Sequence, residues 1–578
     1  MAGLTLCSEV KVHRYLVLID FPGIKHFVFG TDVASEIRGA SAFLERWGKE
    51  QIVKELTGMA PDHTTWKTIY VGGGSGMFLV EATDAQPLDR SLRLFAARTA
   101  METEGALSFA WAIVPYEDDD SFGLKLAHAH TILSSRRTIL DGPRLNTVSL
   151  PLLQECSSCS RPGVTSQHKR SSEDDWEWLC PACALKRQEG ESLRMSRRVH
   201  RDRQESDTWQ LLTKAMQEKQ PNLESVVPPR DLQAMAQKSG RSGYLGLVYM
   251  DGDSMGRALK SLKSPEEYAV FSRGVDSSMR QAFSDAVVRL ATKGYFGAQH
   301  EDDAHTELPL DIFLLGGDDL VVVTTANAAV PLAIEVARGF KKRTKQFFED
   351  HGILRAQGSG ADDPIPLALT ASAGVALFKH NIPFHMVIYQ AEQLLRSAKR
   401  TRSQRTDGQP EAFIDVANVS QTEFVDIASI REELTTVVTD GGKHTRKFRK
   451  TIWPLPATLA GRFWAILEDL SDQVSKSKIQ QLAASLESPL RADKELMRIL
   501  PRLKSRTSSL RHGAWDSVVG LFDLFDMWRD NRPRAWKVVA GDEPDVELHI
   551  SHLLDVATLG RFAETPHRGA QTGTGEEA

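Results

Sequence analysis

The stretch "DIFLLGGDDLVVVT", residues 311–324, decides how this chain is read. Ile312 to Leu315 form an apolar run, Gly316 and Gly317 supply a tight turn, and Leu320 to Val323 form a second, β-branched run. That is the pattern of a β-hairpin. Asp318 and Asp319 sit side by side at its turn, where like charges repel and where one Asp would serve. A divalent cation removes the repulsion, so the pair reads as candidate metal ligands.

Working outward, "GYLGLVYMDGDSMGRAL" (243–259) is an apolar strand that ends on Asp251 and Asp253 and enters a helix. "LALTASAGVALF" (367–378) is a further strand, and "FHMVIYQAEQLLRSAKR" (384–400) is an amphipathic helix with a basic end. The order strand, helix, hairpin, helix, strand, helix is that of a ferredoxin-like, split βαβ palm domain. Asp251, Asp318 and Asp319 then offer oxygens from adjacent strands. They suit two Mg²⁺ or Mn²⁺ ions about 3.5–4 Å apart, an arrangement for phosphoryl or nucleotidyl transfer. Gly316 and Gly317 let the backbone approach a triphosphate. Lys399 can reach its β and γ phosphates, the plainer alternative being a lysine that caps its helix C-terminus. Asp253 and Ser254 read as turn residues entering the helix, with contact to metal or ribose as the alternative.

The N-terminal region repeats the pattern. "HRYLVLIDFPG" (13–23) is a strand, "ASEIRGASAFLERWGKEQIVKEL" (34–56) a helix and "TIYVGGGSGMFLVEA" (68–82) a glycine-turned hairpin. "RSLRLFAARTAMETEG" (90–105) and "LSFAWAIVPY" (107–116) supply the next helix and strand. This is an internal duplication. Gly72-Gly73-Gly74-Ser75 aligns with Gly316-Gly317-Asp318-Asp319, so the first copy keeps glycines and lacks the acids of the turn. The hairpin therefore does not need those acids in order to fold.

"CSSC" (156–159) and "CPAC" (180–183) give two Cys-x2-Cys knuckles with 20 residues between them. That spacing predicts a closed, structural four-thiolate zinc site at Cys156, Cys159, Cys180 and Cys183. His168 lies between the pairs and is the alternative ligand; Cys7 is left over. With 578 residues we expect roughly three or four domains. The 71 basic residues nearly balance the 76 acidic ones, so total charge does not mark a nucleic-acid binder. Basic clusters are local: 186–203, "KRTRSQR" (399–405) and "KHTRKFRK" (443–450), each able to attract phosphate backbones. The start lacks a signal-peptide core, and a soluble, cytoplasmic protein is expected.

The predicted architecture is α+β and multidomain. It comprises a first palm with a degenerate turn (1–145), a zinc module with a basic linker (146–240), a second palm (241–418), a C-terminal helical domain (419–562) and a disordered tail (563–578).

These features together resemble the large polymerase/cyclase subunit of type III CRISPR effector complexes. The resemblance rests on "LIDFPGIKHFVF", "SEIRGASAFL", "YVGGGSGMFL", the four-cysteine insert, "YMDGDSMG", "LLGGDDLVVV" and "SAGVALFKHNIPFHMVIYQAEQLLRSAK". It implies that target RNA capture by a guide-RNA complex with small partner subunits triggers conversion of ATP into cyclic oligoadenylates. It places the metal carboxylates on Asp251, Asp318 and Asp319 and a triphosphate contact on Lys399. It also gives the first palm, around Gly73, Gly74 and Ser75, a share in holding the second nucleotide. None of the 17 histidines is followed by Asp, so the His-Asp nuclease marker of many members is missing and no nuclease activity is expected. The alternatives are a stand-alone diguanylate-type cyclase, which resembles the acidic turn alone, and a catalytically silent RNA-binding subunit.

Overall fold

The computed structural model describes residues 12–48, 52–59, 64–103, 105–117, 121–140, 154–160, 166–169, 176–199, 207–218, 221, 223, 225–227, 229, 231–239, 243–296, 305–353, 355–356, 365–366, 368–405, 410–419, 426–440, 444–507, 513–540 and 546–563. Cys7 and the tail from 564 onward fall outside them.

The first unit comprises β1 (His13–Asp20), α1 (Ile24–Phe29), α2 (Ala34–Arg46), α3 (Ile52–Gly58), β2 (Thr65–Gly72), β3 (Ser75–Ala82), α4 (Ala85–Glu102), β4 (Ala110–Pro115) and α5 (Phe122–Leu140). Its strands lie in the antiparallel order β2-β3-β1-β4, the split βαβ topology expected from the sequence. A hairpin, β5 (Ser166–Lys169) and β6 (Trp176–Leu179), and α6 (Pro181–Val199) follow. The basic segment from 186 therefore continues the second cysteine knuckle as helix up to Val199. Next come α7 (Asp207–Gln217), β7 (Ser225–Val227) and α8 (Leu232–Lys238).

The second unit repeats the first. It contains β8 (Tyr244–Gly252), α9 (Met255–Lys260), α10 (Pro265–Thr292), β9 (His305–Glu307), β10 (Leu310–Gly316), β11 (Asp319–Thr325), α11 (Ala326–His351), β12 (Arg355–Ala356), β13 (Ile365–Pro366), β14 (Ala371–Lys379) and α12 (Phe384–Ser403). Its sheet runs β10-β11-β8-β14 and is extended by β15 (Phe413–Val419), parallel to β14. Each hairpin also bulges at the corresponding place, between Thr68 and Tyr70 in one copy and between Ile312 and Leu314 in the other. Shared irregularities of this kind are inherited features and support the duplication.

β8 and β11 are apolar without alternation because both faces of the sheet are covered. Val248, Met250, Leu320 and Val322 join the core built with α10 and α11. Leu247, Tyr249, Val321 and Val323 join a second core that α12 shares with the first palm. Ion pairs tie the palms together: Arg38 to Asp311 (3.4 Å), Lys67 to Glu266 (3.0 Å) and Arg280 to Glu45 (3.8 Å). α6 packs on α2 at two glycines, where a Cβ on Gly39 would lie 1.8 Å from the Lys186 carbonyl oxygen.

The region after 419 corrects the expectation of helix throughout. It contains α13 (Ile427–Glu433), β16 (Thr435–Asp440), β17 (His444–Arg449), β18 (Leu455–Pro456), α14 (Ala457–Gln473), α15 (Lys476–Ala484), α16 (Ala492–Thr507), α17 (Gly513–Leu524), β19 (Trp528–Arg529), β20 (Arg532–Pro533), β21 (Lys537–Ala540), β22 (Val546–Ile550) and α18 (Leu553–Leu559). β16, β17, β22 and β21 form a four-stranded sheet. Its strands are short and half-exposed, mixing threonine, basic and apolar residues, so no apolar run announces them.

Asp555 on α18 is fully buried, where it accepts hydrogen bonds from Thr451 Oγ1 (2.9 Å) and the Ile452 amide (2.8 Å). Burial pushes its carboxyl up from 3.8 to about 7. Protonation thus favours the folded state, and that contribution is complete below about pH 4 and lost as pH rises through 7. Asp555→Asn carries no charge and should lose less melting temperature than the wild type between about pH 5 and 8. Parallel melting curves across that range would exclude this.

Candidate functional site

The two hairpin turns meet tip to tip: a Cβ on Gly316 would lie 3.9 Å from the Gly73 amide nitrogen. Between the palms lies a cavity of about 570 Å³, lined by Gly73, Gly74, Gly316, Asp319, Lys25 and Arg280 among others.

The turns differ in backbone. In the first palm both central residues have positive φ, Gly73 at 58° and Gly74 at 76°, which favours glycine at both. In the second palm only Gly317, at 60°, does so. The second central position accepts a side chain, and Asp318 occupies it. Its carboxyl packs against Gly252, where a Cβ would lie 2.4 Å from Asp318 Oδ2. α10 braces the turn from outside: Asp276 Oδ1 accepts the Gly317 amide (3.0 Å), and Arg280 donates to the Leu315 carbonyl (3.1 Å).

Burial, followed by the neighbouring Asp319, pushes Asp318 up to about 6. Burial also raises Asp319, opposed by Lys25. Asp319 Oδ1 is buried with no hydrogen-bond partner. Asp251, at the end of β8, is ion-paired with Lys399, whose Nζ also donates to the Gly252 carbonyl (2.7 Å). Burial, Lys25 and Arg402 together lower Lys399 to about 8. Lys399 therefore points into the site and does not act as a solvated helix cap.

Asp253 is 3% exposed and accepts from Thr370 Oγ1 (2.7 Å) and Ser372 Oγ (2.9 Å), with Arg402 at 3.4 Å. Burial pushes it up to about 6. The two hydroxyls anchor its carboxyl, which stands near enough to Asp318 to disfavour that group's ionisation. Ser254 caps α9 in a left-handed conformation (φ 61°) and accepts from Arg402 (3.1 Å). Gly72, Gly73 and Gly74 line the cavity; Ser75 bonds back to the Gly72 carbonyl (3.2 Å).

Among the described residues, the only group of three or more potential ligands with donor atoms within 4.8 Å of one another is Cys156, Cys159, Cys180 and Cys183. Asp251, Asp318 and Asp319 do not form such a group while Asp251 is drawn onto Lys399. The orphaned Asp319 oxygen beside a second crowded carboxyl is nevertheless the environment that a divalent cation would satisfy. The four sulfurs fit zinc: Cys159 and Cys180 are 3.6 Å apart, against about 3.8 Å for the edge of a tetrahedron with 2.3 Å metal–sulfur bonds. The cluster is fixed to the first palm through buried Glu36, which Arg187 holds at 2.6 Å and Thr31 at 2.8 Å.

Sequence reasoning missed Lys25, Asp276, Arg280 and Arg402. Lys25 belongs to the first palm, and its Nζ lies 5.0 Å from the Tyr249 ring centre in the second. Nothing in its local sequence signals that contact. The first copy keeps one acid outside its turn. Asp20 ends β1 at the register position that Asp251 holds in β8.

Residues 244–407 match the family described as Cas10/Cmr2, second palm domain. A search of the curated proteins returns no match. Among solved structures, Csm1 from T. onnurineus aligns with 15% identity and a TM-score of 0.52, over 95% of this chain and 69% of that one. A Csm1-Csm4 cassette in complex with cA3 aligns with 14% identity and a TM-score of 0.50, over 86% and 65%. A cassette in complex with AMPPNP aligns with 17% identity and a TM-score of 0.43, over 69% of this chain and 54% of that one, so the present chain spans about half its length. At these identities the likeness is one of fold. No helix among the described residues is long and apolar enough to cross a membrane.

Asp276→Ala removes the acceptor for the Gly317 amide and should loosen the turn while leaving the sheet intact. Amide exchange at 315–319 is expected to accelerate about tenfold, with melting temperature nearly unchanged. Unaltered exchange there would show that the brace carries no energy.

Proposed function

We propose that this Cas10-like chain polymerises ATP into cyclic oligoadenylates when its effector complex captures target RNA. The observation that carries the reading is the acidic turn: Asp318 and Asp319 stand crowded, one Asp319 oxygen is orphaned, and Asp319 lines a cavity walled by two palms. The fold likeness to Csm1 and the second-palm match support it. The binding of cA3 belongs to the related cassette and is carried over here as part of the proposal.

Asp251, Asp318 and Asp319 would hold two Mg²⁺ or Mn²⁺ ions, which supply charge neutralisation and activation of a hydroxyl when bound. The chain's own residues do the rest. Gly316, Gly317 and Ser254 would admit and orient the polyphosphate. Lys399 would exchange its contact with Asp251 for one with the phosphates. Gly73, Gly74 and Ser75 would face the second nucleotide across the cavity, and no separate side-chain base is required. Guide RNA, target RNA and small partner subunits would act through the basic clusters and the C-terminal region; the preference for adenine rests on the family likeness. The four cysteines would hold a structural zinc ion, and the protein would work in the cytoplasm.

The assembled complex, given ATP, Mg²⁺ and matching target RNA, should yield cyclic adenylates by mass spectrometry. Asp318→Ala/Asp319→Ala should lower the yield by at least about a hundredfold without weakening RNA binding. Turnover of GTP in place of ATP would favour the diguanylate-type alternative, and persistent product in the double variant would move the active site elsewhere.

Purified protein should carry about one zinc per chain, and Cys180→Ser should lose it together with several degrees of melting temperature. Metal analysis showing zinc retained in that variant would rule out the four-thiolate site.

A further inference from the structure

The first palm lacks the acids of the turn, because Gly74 and Ser75 stand where the second palm has Asp318 and Asp319. The superposable register shows what it has kept. Asp20 pairs across the sheet with Ala110, as Asp251 pairs with Ser372. From those partners the chain runs the same distance to the following helix, which begins at Phe122 in one copy and Phe384 in the other. Both phenylalanines are buried. The same helical position, sixteenth from the start, is Arg137 in α5 and Lys399 in α12. Both cations reach back to the acid that ends the central strand. Arg137 Nε lies 2.8 Å from Asp20 Oδ2, matching the Lys399–Asp251 pair.

The two sites differ in what surrounds the pair. Of the three carboxylate positions only that of Asp20 keeps an acid in the first palm, and a side chain at Gly74 would be strained by the positive φ of 76° and would have to displace the tip of Ile24. One carboxylate does not make a two-metal site. The cation has become arginine, whose charge is permanent and whose planar fork matches phosphate oxygens two at a time. Arg137 is 42% exposed, so a ligand can reach it, while Asp20 is 14% exposed and holds the guanidinium in place.

We infer that Arg137, oriented by Asp20, is a polyphosphate-binding residue that lets the first palm hold a nucleoside triphosphate without a divalent cation. The second palm, in contrast, needs its metals. The inference rests on the reading of the paired palms as nucleotide sites and names the residue and the metal requirement of one of them.

The test is equilibrium binding of ATP to the full chain, with Mg²⁺ and with excess EDTA. Wild type should bind ATP in both conditions, with fewer sites in EDTA. Arg137→Ala should weaken the EDTA-resistant binding by about tenfold to a hundredfold, the range for losing a charge-assisted pair of hydrogen bonds. Arg137→Lys should restore part of it, and Asp318→Ala/Asp319→Ala should leave it intact. Asp20→Asn keeps the guanidinium and serves as the folding control: if the pair were only structural, both Asp20→Asn and Arg137→Ala would lower the melting temperature and neither would change ATP binding. That result, or binding that vanishes in EDTA while remaining normal in Mg²⁺, overturns the inference alone. Failure of the wild type to bind ATP in either condition would overturn the nucleotide reading of both palms.

Discussion

The second central position of a two-residue hairpin turn governs the chemistry of this molecule. In the first palm that position takes a positive φ and is pressed against Ile24, and glycine fills it. In the second palm it relaxes out of the left-handed region and holds Asp318 next to Asp319. A backbone difference at one residue goes with the change from a glycine turn to one bearing two adjacent carboxylates, of which Asp319 lines the cavity. The two acids impose a cost. Burial and mutual repulsion disfavour their ionised forms, so the surrounding structure has to supply cations or bind them.

Those cations come from different elements. Lys25 on α1 of the first palm opposes Asp319, Lys399 on α12 pairs with Asp251, and Arg402 one turn further on holds Asp253 and Ser254. Burial, and then the charges of Lys25 and Arg402, depress Lys399, while Tyr249, Asp319 and Glu392 help to hold Lys25 above its ordinary value. The site is therefore a cluster of opposed charges of both signs, in which the charged forms of Asp318, Asp319 and Lys399 are disfavoured. Such a cluster exchanges partners readily when polyphosphate and divalent cations arrive, because each new contact relieves an existing strain.

The hairpins, the central strands and the cysteine knuckles were legible in the sequence because each is local: an apolar run, a glycine turn, a fixed spacing. What the sequence hid was contact between distant segments. Lys25 lies in "GIKHFVF", which reads as the start of a short helix, and its neighbourhood with Tyr249 and Asp319 exists only once the palms stack. Asp276 and Arg280 pair four residues apart on one helix, and both turn onto the backbone of a hairpin distant in sequence. Arg402 and Arg405 belonged to a basic cluster assigned to phosphate attraction. In the structure Arg402 turns inward, and Arg405 pairs with Glu411 at 2.9 Å. The C-terminal sheet escaped notice because its strands are too short and too mixed in polarity to set a period.

The duplication explains why the first palm persists although its turn has lost both acids. At the position of Lys25 the second copy has Gly256, and at the positions of Asp318 and Asp319 the first copy has Gly74 and Ser75. The copies have diverged in complementary directions, one toward negative charge and one toward the cation that answers it. Since the turns meet tip to tip, the lysine of one palm falls beside the acid of the other. A second palm standing alone would expose half of the shared apolar core that α12 forms with the first. It would also leave Asp319 without the opposing charge of Lys25 and leave the cavity without its facing wall. The first palm thus supplies the complementary half of the acidic cluster.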